Sequence, residues 1–320
     1  MASSSAGAGD LTLRLTDIAY GAAGINLYRF SSLDGDQLPG YEPGAHVDVQ
    51  IGPQHRRQYS LLWPPSSRDS YTVAVQLAEA GRGGSKALHF DSVVGHAYQL
   101  SSPRNSFPLC AGGRQYALFA GGIGITPIVS MYRNLKRVGA SVALYYWTAS
   151  PERTLFLQEL GADPDVHLMH EVQPGQPAMR IADVVRSLPM DAQLYCCGPE
   201  RMLTEFDTVC AGRPDTLVHT ERFAAAPVDL NGDAFQVLLQ RSNRTLTVDV
   251  GQSLLQACLD AGVDVAYSCE EGVCGACEVA VLAGEVSHRD SVLGAAERQS
   301  NRRMMICCSR GIGASLVVDL

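Results

Sequence analysis

The sequence predicts a multidomain chain: an antiparallel β-barrel, then an α/β domain with a parallel sheet, then a small α+β module. Three observations predict it. Short alternating segments punctuated by Gly and Pro fill residues 10–111, which suits an antiparallel barrel or sandwich. Apolar strands then alternate with helical stretches over 112–223, as in a parallel sheet with crossover helices. Six of the ten cysteines fall in 233–320, in a stretch of short strands around one main helix.

The elements follow in order. "AHVDVQIG", "RQYSLL" and "YTVAVQLA" read as barrel strands, and a helix starts at "GGSKALHF". "CAGGRQ" (110–115) marks the first boundary. "YALFAG" is a strand and "TPIVSMYRNLKRVG" a helix ending in Gly; "SVALYYWTA" is a strand and "PERTLFLQELG" a helix with Pro in its first turn. "DVHLMHEV", "MRIADVVRSL", "AQLYCCG" and "PERMLTEFDTVCAG" continue the alternation. Small residues, Pro and Gly at 224–232 read as a linker. "FQVLLQRSNRTLTVDV" is a hairpin turning at "RSNR", "SLLQACLDAG" a helix ending at Gly262, and "CEVAVLAGEV" a second turn-linked pair.

Composition narrows the function. The chain has 320 residues, 46% of them hydrophobic, enough for two or three domains. Net charge is -8 with no Lys/Arg-rich run, so nucleic acid and anionic membranes are poor partners. No apolar run reaches the roughly 18–20 residues of a membrane span. The start, "MASSSAGAGD", lacks the basic and apolar regions of a signal peptide. Residues 1–9 therefore read as a disordered tail, and the expected compartment is the cytoplasm, where disulfides seldom persist. Ten thiols there point to metal or redox chemistry, although Cys110, Cys210 and Cys258 read as buried free thiols.

"SCEEGVCGAC" holds the densest group. Cys269, Cys274 and Cys277 stand at C-x4-C-x2-C, with Cys307 and Cys308 thirty residues on in "MMICCSRG". That is the plant-type spacing for a [2Fe–2S] cluster. Gly272 and Gly275 between the ligands let amides turn toward sulfur. Structural zinc usually shows paired C-x2-C knuckles; zinc and free thiols remain rival readings. In an extended segment neighbours face opposite ways, so only one of Cys307 and Cys308 could be the fourth ligand.

"YALFAGGIGITPIVSM" sets Gly121, Gly122 and Gly124 between a strand and a helix, where backbone can approach a pyrophosphate. Pro127 replaces the third glycine of the dinucleotide fingerprint, and the acidic residue expected about 20 positions on is missing. A plain βα turn is the rival reading. "LYCCGPERML" places Cys197, Gly198 and Pro199 at a strand's C-terminal end, where α/β sheets bind ligands; read alone Cys197 is a buried thiol, and read with the glycine loop it is a nicotinamide contact. "RRQYSLL" supplies Arg57, Gln58, Tyr59 and Ser60 on a strand, and "GRGGS" supplies Gly81, Arg82, Gly83, Gly84 and Ser85 at a helix start. Together these offer a cation and amides for a phosphate, with a ring and a hydroxyl for a flat heterocycle.

The series R-x-Y-S, G-R-G-G-S, G-G-I-G-I-T-P, C-C-G-P and C-x4-C-x2-C…C-x-S-R resembles the phthalate dioxygenase reductase family, with vanillate demethylase reductases near it. The resemblance spans nearly all of residues 10–320. It implies a ferredoxin-reductase-type flavin barrel (10–111), a pyridine-nucleotide domain (112–223) and a C-terminal β-grasp ferredoxin (233–320). Arg57, Gly83, Gly84 and Ser85 would hold the flavin phosphate, with Arg82 assisting and Gln58 in the same strand. Tyr59 would pack on the flavin, and Ser60 would lie where hydride arrives. Thr126, Pro127 and Cys197 would shape the nicotinamide pocket beside Gly121, Gly122, Gly124, Gly198 and Pro199. "HTERF" would place Glu221 and Phe223 near the flavin, and the C-x-S-R ending makes Cys307 the fourth ligand. FMN is implied over FAD, NADH over NADPH, and a monomer. The expected function is electron transfer from NADH through FMN and [2Fe–2S] to a Rieske-type aromatic-ring oxygenase or O-demethylase. A cytochrome P450 or diiron acceptor, or a redox sensor without turnover, are the alternatives.

Overall fold

The computed structural model describes residues 10–52, 55–62, 68–79, 81, 83–170, 179–223, 230–267 and 269–320. The tail at 1–9, most of the linker, and Arg82 lie outside the described residues. The chain divides into two compact units, 1–222 and 223–320.

The first unit begins with six antiparallel strands: β1 (Leu11–Ala22), β2 (Ile25–Ser32), β3 (His46–Ile51), β4 (His55–Ser60), β5 (Ser70–Gln76) and, after helix α1 (Gly84–Asp91), β6 (Ala97–Leu100). Their order is β4-β3-β6-β1-β2-β5. A bridge from Leu61, just past β4, to Val73 in β5 joins the outer strands and closes the barrel. Register shifts between Leu15 and Asp17 and between Tyr20 and Ala22 mark irregularities in β1; such bulges bend a strand and help a sheet to curl. Alternate side chains fill the interior, including Leu13, Leu15, Tyr28, Phe30, Val47 and Val49.

A parallel sheet follows: β7 (Gln115–Gly121), α2 (Ile125–Arg137), β8 (Ser141–Thr148), α3 (Leu157–Gly161), β9 (Val166–His170), α4 (Ile181–Ser187), β10 (Gln193–Cys197), α5 (Glu200–Cys210) and β11 (Val218–Glu221). The order β11-β10-β7-β8-β9 makes β7 the first strand, with the chain winding away on one side and then the other. Ligands of such sheets bind at that switch, outside the strand ends. One core joins barrel and sheet: Ala22, Ile25, Leu62 and Phe107 pack with Ile125, Ile128, Met131 and Cys197.

The expected helix over 151–161 is broken. A short turn at Pro151–Arg153 is separated from α3 by Phe156, whose φ is +61°. Thr154 causes the break: its hydroxyl donates to the Ser150 carbonyl (3.0 Å) and meets the Thr148 hydroxyl (2.7 Å). That fold-back points Leu155 into the core.

The second unit holds β12 (Phe235–Leu239), β13 (Arg244–Val248), α6 (Leu254–Asp260), β14 (Glu278–Ser287), α7 (Ala295–Ser300), β15 (Arg303–Met305) and β16 (Arg310–Val318). The order is β13-β12-β16-β14-β15, with β12 and β16 parallel and the other pairs antiparallel. The turn expected within 277–286 is absent. The segment is one long strand with two register shifts against β16. Gly284 (φ +94°) sits at the irregularity, where a Cβ would stand 2.8 Å from the Ser315 carbonyl oxygen. Glycine here serves a close approach of two strands. Helix α6 is capped by Ser253, which accepts from Gln256 N–H (3.1 Å).

Candidate functional site: a nucleotide edge and a thiol quartet

The two glycine-rich loops of the first unit interlock. β7 and β10 are neighbours, with Cys197 opposite Ala120. A Cβ on Gly121 would stand 2.6 Å from both Met202 Sδ and Pro199 Cδ, and one on Gly124 would overlap the Cys197 carbonyl. Gly198 approaches Gly121 as tightly, its Cβ position lying 3.1 Å from the Gly121 Cα. Gly122 has φ +52°. The two loops therefore pack too closely at Gly121, Gly124 and Gly198 to admit a side chain. Tyr146 ties the loop from behind, its hydroxyl donating to the Gly122 carbonyl (3.1 Å). Thr126 is buried and its hydroxyl donates to the Ile123 carbonyl (3.0 Å); Pro127 is buried beside it in the first turn of α2.

Cys197 ends β10, fully buried, and pairs in register with Glu221 on β11. Burial pushes the thiol well up, and the Glu221 carboxylate adds to that. Burial likewise raises Glu221 to about 8. Its Oε2 is buried without a hydrogen-bond partner. A carboxyl held protonated near neutral pH at a ligand-binding edge is a functional signal. Phe223, two residues on, is 40% exposed and opens the second unit.

On the barrel, Arg57, Gln58, Tyr59 and Ser60 occupy β4, paired with Val49, Asp48, Val47 and His46. The structure brings Arg57 onto the start of α1: a Cβ on Gly84 would stand 2.8 Å from Arg57 Cγ. Gly83 caps α1 with φ +93° and no side-chain hydrogen bond, which leaves the first amides to another acceptor. Ser85 Oγ accepts from Ala78 N–H (3.1 Å), fixing the preceding loop. Tyr59 is raised above its ordinary range by burial, against the pull of Arg57. Two further residues went unread in the sequence. His55 approaches within 3.0 Å of a Cβ placed on Gly83, and it shares a strand face with Arg57 two positions on, which was the available signal. Tyr146 gave none, since it reads as one more buried aromatic of β8.

In the second unit the loop after α6 brings four thiols together. Cys269 meets Cys274 and Cys307, and Cys307 also meets Cys277. All four are buried. The Cys274 and Cys307 thiols draw Cys269 far below its ordinary range, while Cys269 and Cys277 push Cys307 far above. Glu271 N–H donates to Cys269 Sγ (3.3 Å) and Ala276 N–H to Cys274 Sγ (3.4 Å). Gly272 and Gly275 both have φ +73°, the left-handed turns that aim those amides inward. The contacts run as a chain, Cys274 to Cys269 to Cys307 to Cys277; among the described residues no group of three or more His, Cys, Asp or Glu is arranged as a metal-ion site. Four thiols suit a [2Fe–2S] cluster, and the amide donors suit thiolate sulfur.

The Cys307 segment is not extended. Cys308 N–H (3.3 Å) and Ser309 N–H (2.9 Å) both donate to the Met305 carbonyl, folding 305–309 into a turn. Cys307 meets Cys269 and Cys277, while Cys308 meets Cys307 and lies 2.5 Å from a Cβ placed on Gly272. Of the three cysteines read as buried spares, Cys210 and Cys258 are buried, but Cys110 is partly exposed.

Residues 237–310 match the model of the 2Fe-2S iron-sulfur cluster binding domain. A solved structure, "Phthalate dioxygenase reductase: a modular structure for electron transfer from pyridine nucleotides to [2Fe-2S]", is 36% identical with a TM-score of 0.72, covering 98% of each chain. The chain belongs to the phthalate dioxygenase reductase family. As a family member it is an oxidoreductase with a flavin-type barrel, a nucleotide domain and an iron–sulfur domain. The phenoxybenzoate dioxygenase subunit beta of Ectopseudomonas oleovorans is 40% identical over 97% of both chains. An intact type IV self-sufficient cytochrome P450 monooxygenase matches 97% of this chain at 36% identity and TM-score 0.89, and the match spans 41% of that longer chain. Among the described residues no helix is long and apolar enough to cross a membrane.

Proposed function

We propose that this chain is the NADH-dependent, cytoplasmic reductase component of a Rieske-type aromatic-ring oxygenase or O-demethylase, using FMN and a [2Fe–2S] cluster. The quartet of thiols carries the reading, because a chain with a nucleotide edge and a cluster site has both an electron source and an exit. Arg57 and the open first turn of α1 suit the FMN phosphate, since Gly84 leaves room for the Arg57 side chain alone. Tyr59 supplies a ring and Ser60 a hydroxyl beside it. Gly121, Gly122, Gly124 and Gly198 expose amides to the NADH pyrophosphate without side chains in the way. Cys197, Thr126 and Pro127 form the wall for the nicotinamide. Glu221, protonated up to about pH 8, can hold a proton at this edge without adding negative charge. Bound flavin supplies the conversion of a two-electron hydride into single electrons. Cys269, Cys274, Cys277 and Cys307 hold the cluster, and amides of the loop tune it.

Purified holoprotein should contain FMN, two irons and two acid-labile sulfides per chain, and NADH should bleach both chromophores and drive cytochrome c reduction. Stoichiometric zinc without iron or sulfide would end this reading. A second reading, with a cytochrome P450 as acceptor, draws support from the likeness to the self-sufficient monooxygenase. Side-by-side reduction of a Rieske oxygenase and a P450 separates the two.

A further inference from the structure

A groove of about 480 Å³ opens in the second unit with the ligand candidate Cys307 in its wall. The turn 249–252 forms one side and Glu270, next to Cys269, the other. Asp249 and Glu270 are exposed, and Val250, next to Asp249, is 68% exposed. The groove lining includes two carboxylates and no Lys or Arg. The cation beneath it is withdrawn from the surface: Arg310 is 1% exposed and donates to the carbonyls of Asp233 (3.0 Å), Asp249 (3.1 Å) and Gln252. It stiffens the 249–252 wall from behind. The result is an apolar spot with two carboxylates around it, against a candidate cluster ligand.

We infer that this groove is where the one-electron acceptor protein docks, presenting a loop that carries Lys or Arg. The inference rests on the proposed function and names the exit of the same electron path. An electron leaves a cluster best where a partner can approach a ligand sulfur, and only Cys307 of the four lines this groove. Transient redox contacts are small and are guided by opposite charge more than by area. Asp249 and Glu270 supply that guidance, and Val250 supplies the dry centre.

The test uses the full-length holoprotein with two probes, cationic cytochrome c and the small anion ferricyanide. The double variant Asp249→Lys/Glu270→Lys should raise the KM for cytochrome c about 10-fold at low salt, and the wild-type rate should fall as salt is added. Ferricyanide turnover and the rate at which NADH bleaches the cluster should stay within about 2-fold, as should all rates of the control Glu285→Lys, which lies outside the groove lining. Because Glu270 adjoins a ligand, Asp249→Lys alone is measured too, with an expected 3-fold rise. An unchanged KM for cytochrome c in both variants overturns the inference. So does slower cluster bleaching, which would make the groove an entry rather than an exit. A wild-type protein that passes no electrons from NADH to either probe overturns the proposed function itself.

Discussion

The two units solve the holding of a redox group in opposite ways. At the nucleotide edge the proposed contact surface is backbone: at Gly121, Gly124 and Gly198 a side chain is excluded by how closely the two loops approach, and at Gly122 by φ +52°. In the cluster loop the contact surface is side chain, four thiols drawn together while the backbone turns to serve them. An edge built of amides suits a ligand that arrives and leaves each turnover. Thiolates suit a group that stays. Glycine appears in both places for different reasons. At the edge it keeps volume empty; in the loop it allows φ +73° at Gly272 and Gly275.

Breaking the thiol side should have the largest effect. Cys307→Ser should abolish the cluster and cytochrome c reduction while ferricyanide reduction through the first unit survives. Cys308→Ser should keep both, as iron analysis and visible spectra will show. If Cys308→Ser instead loses the cluster, the assignment of the two adjacent thiols reverses.

Filling the backbone edge comes next. Gly124→Ala puts a methyl 2.5 Å from the Cys197 carbonyl carbon and 2.8 Å from the Gly198 nitrogen. NADH oxidation should drop about 100-fold through displacement of the loops, while the cluster's spectrum stays unchanged. That separation of effects sharpens the contrast between the units.

The proton at the edge gives a smaller, pH-dependent effect. Glu221 is raised to about 8 by burial, above its value of about 4.3 in an unfolded chain. Below pH 4 the residue is neutral in both states and costs nothing. Between pH 4 and 8 the unfolded chain ionises first, so wild-type stability falls with rising pH, by a few kcal/mol at most, and levels off above 8. Glu221→Gln should remove that slope in urea titrations at pH 5 and 8. Identical slopes in both proteins would show that the carboxyl is ionised when folded.

The mildest change is Gly272→Ala. The left-handed turn and the 2.5 Å approach to Cys308 Sγ should cost about 1–3 kcal/mol. Faster cluster loss in chelator, partly rescued by Cys308→Ala, is the expected signature.

Much of this was legible beforehand, for identifiable reasons. The thiol spacing reports local loop geometry, so Cys269, Cys274 and Cys277 could be read directly. The strand-to-helix turns at Gly121 and Cys197 could be read because an apolar strand followed by glycine and a helical pattern marks a βα unit. The misses had different sources. The helix at 151–161 broke through a local contact, Thr154 turning back six residues to Thr148 at the end of β8, which the helical pattern hides. Gly284 looked like a turn because nothing local reveals that β16 passes 2.8 Å away. The segment at Cys307 reads as extended until both Cys308 and Ser309 are seen to share one carbonyl. The long β1 and β2 were not singled out, since their alternation is blurred by the shifts in β1. The docking groove had no linear signal, being assembled from residues near 250, 270 and 307.

β16 runs down the middle of the second sheet, flanked by β12 and β14, and Arg310 at its start fixes the carbonyl of Asp233. During synthesis that middle place stays empty until residues 310–318 emerge, so the hairpin, helix and thiol loop made earlier have nothing to close around. The sheet that frames the thiol loop is therefore complete only when its last strand is in place. A chain stopped at Ser309 would carry all ten cysteines and lack the strand that joins β12 to β14.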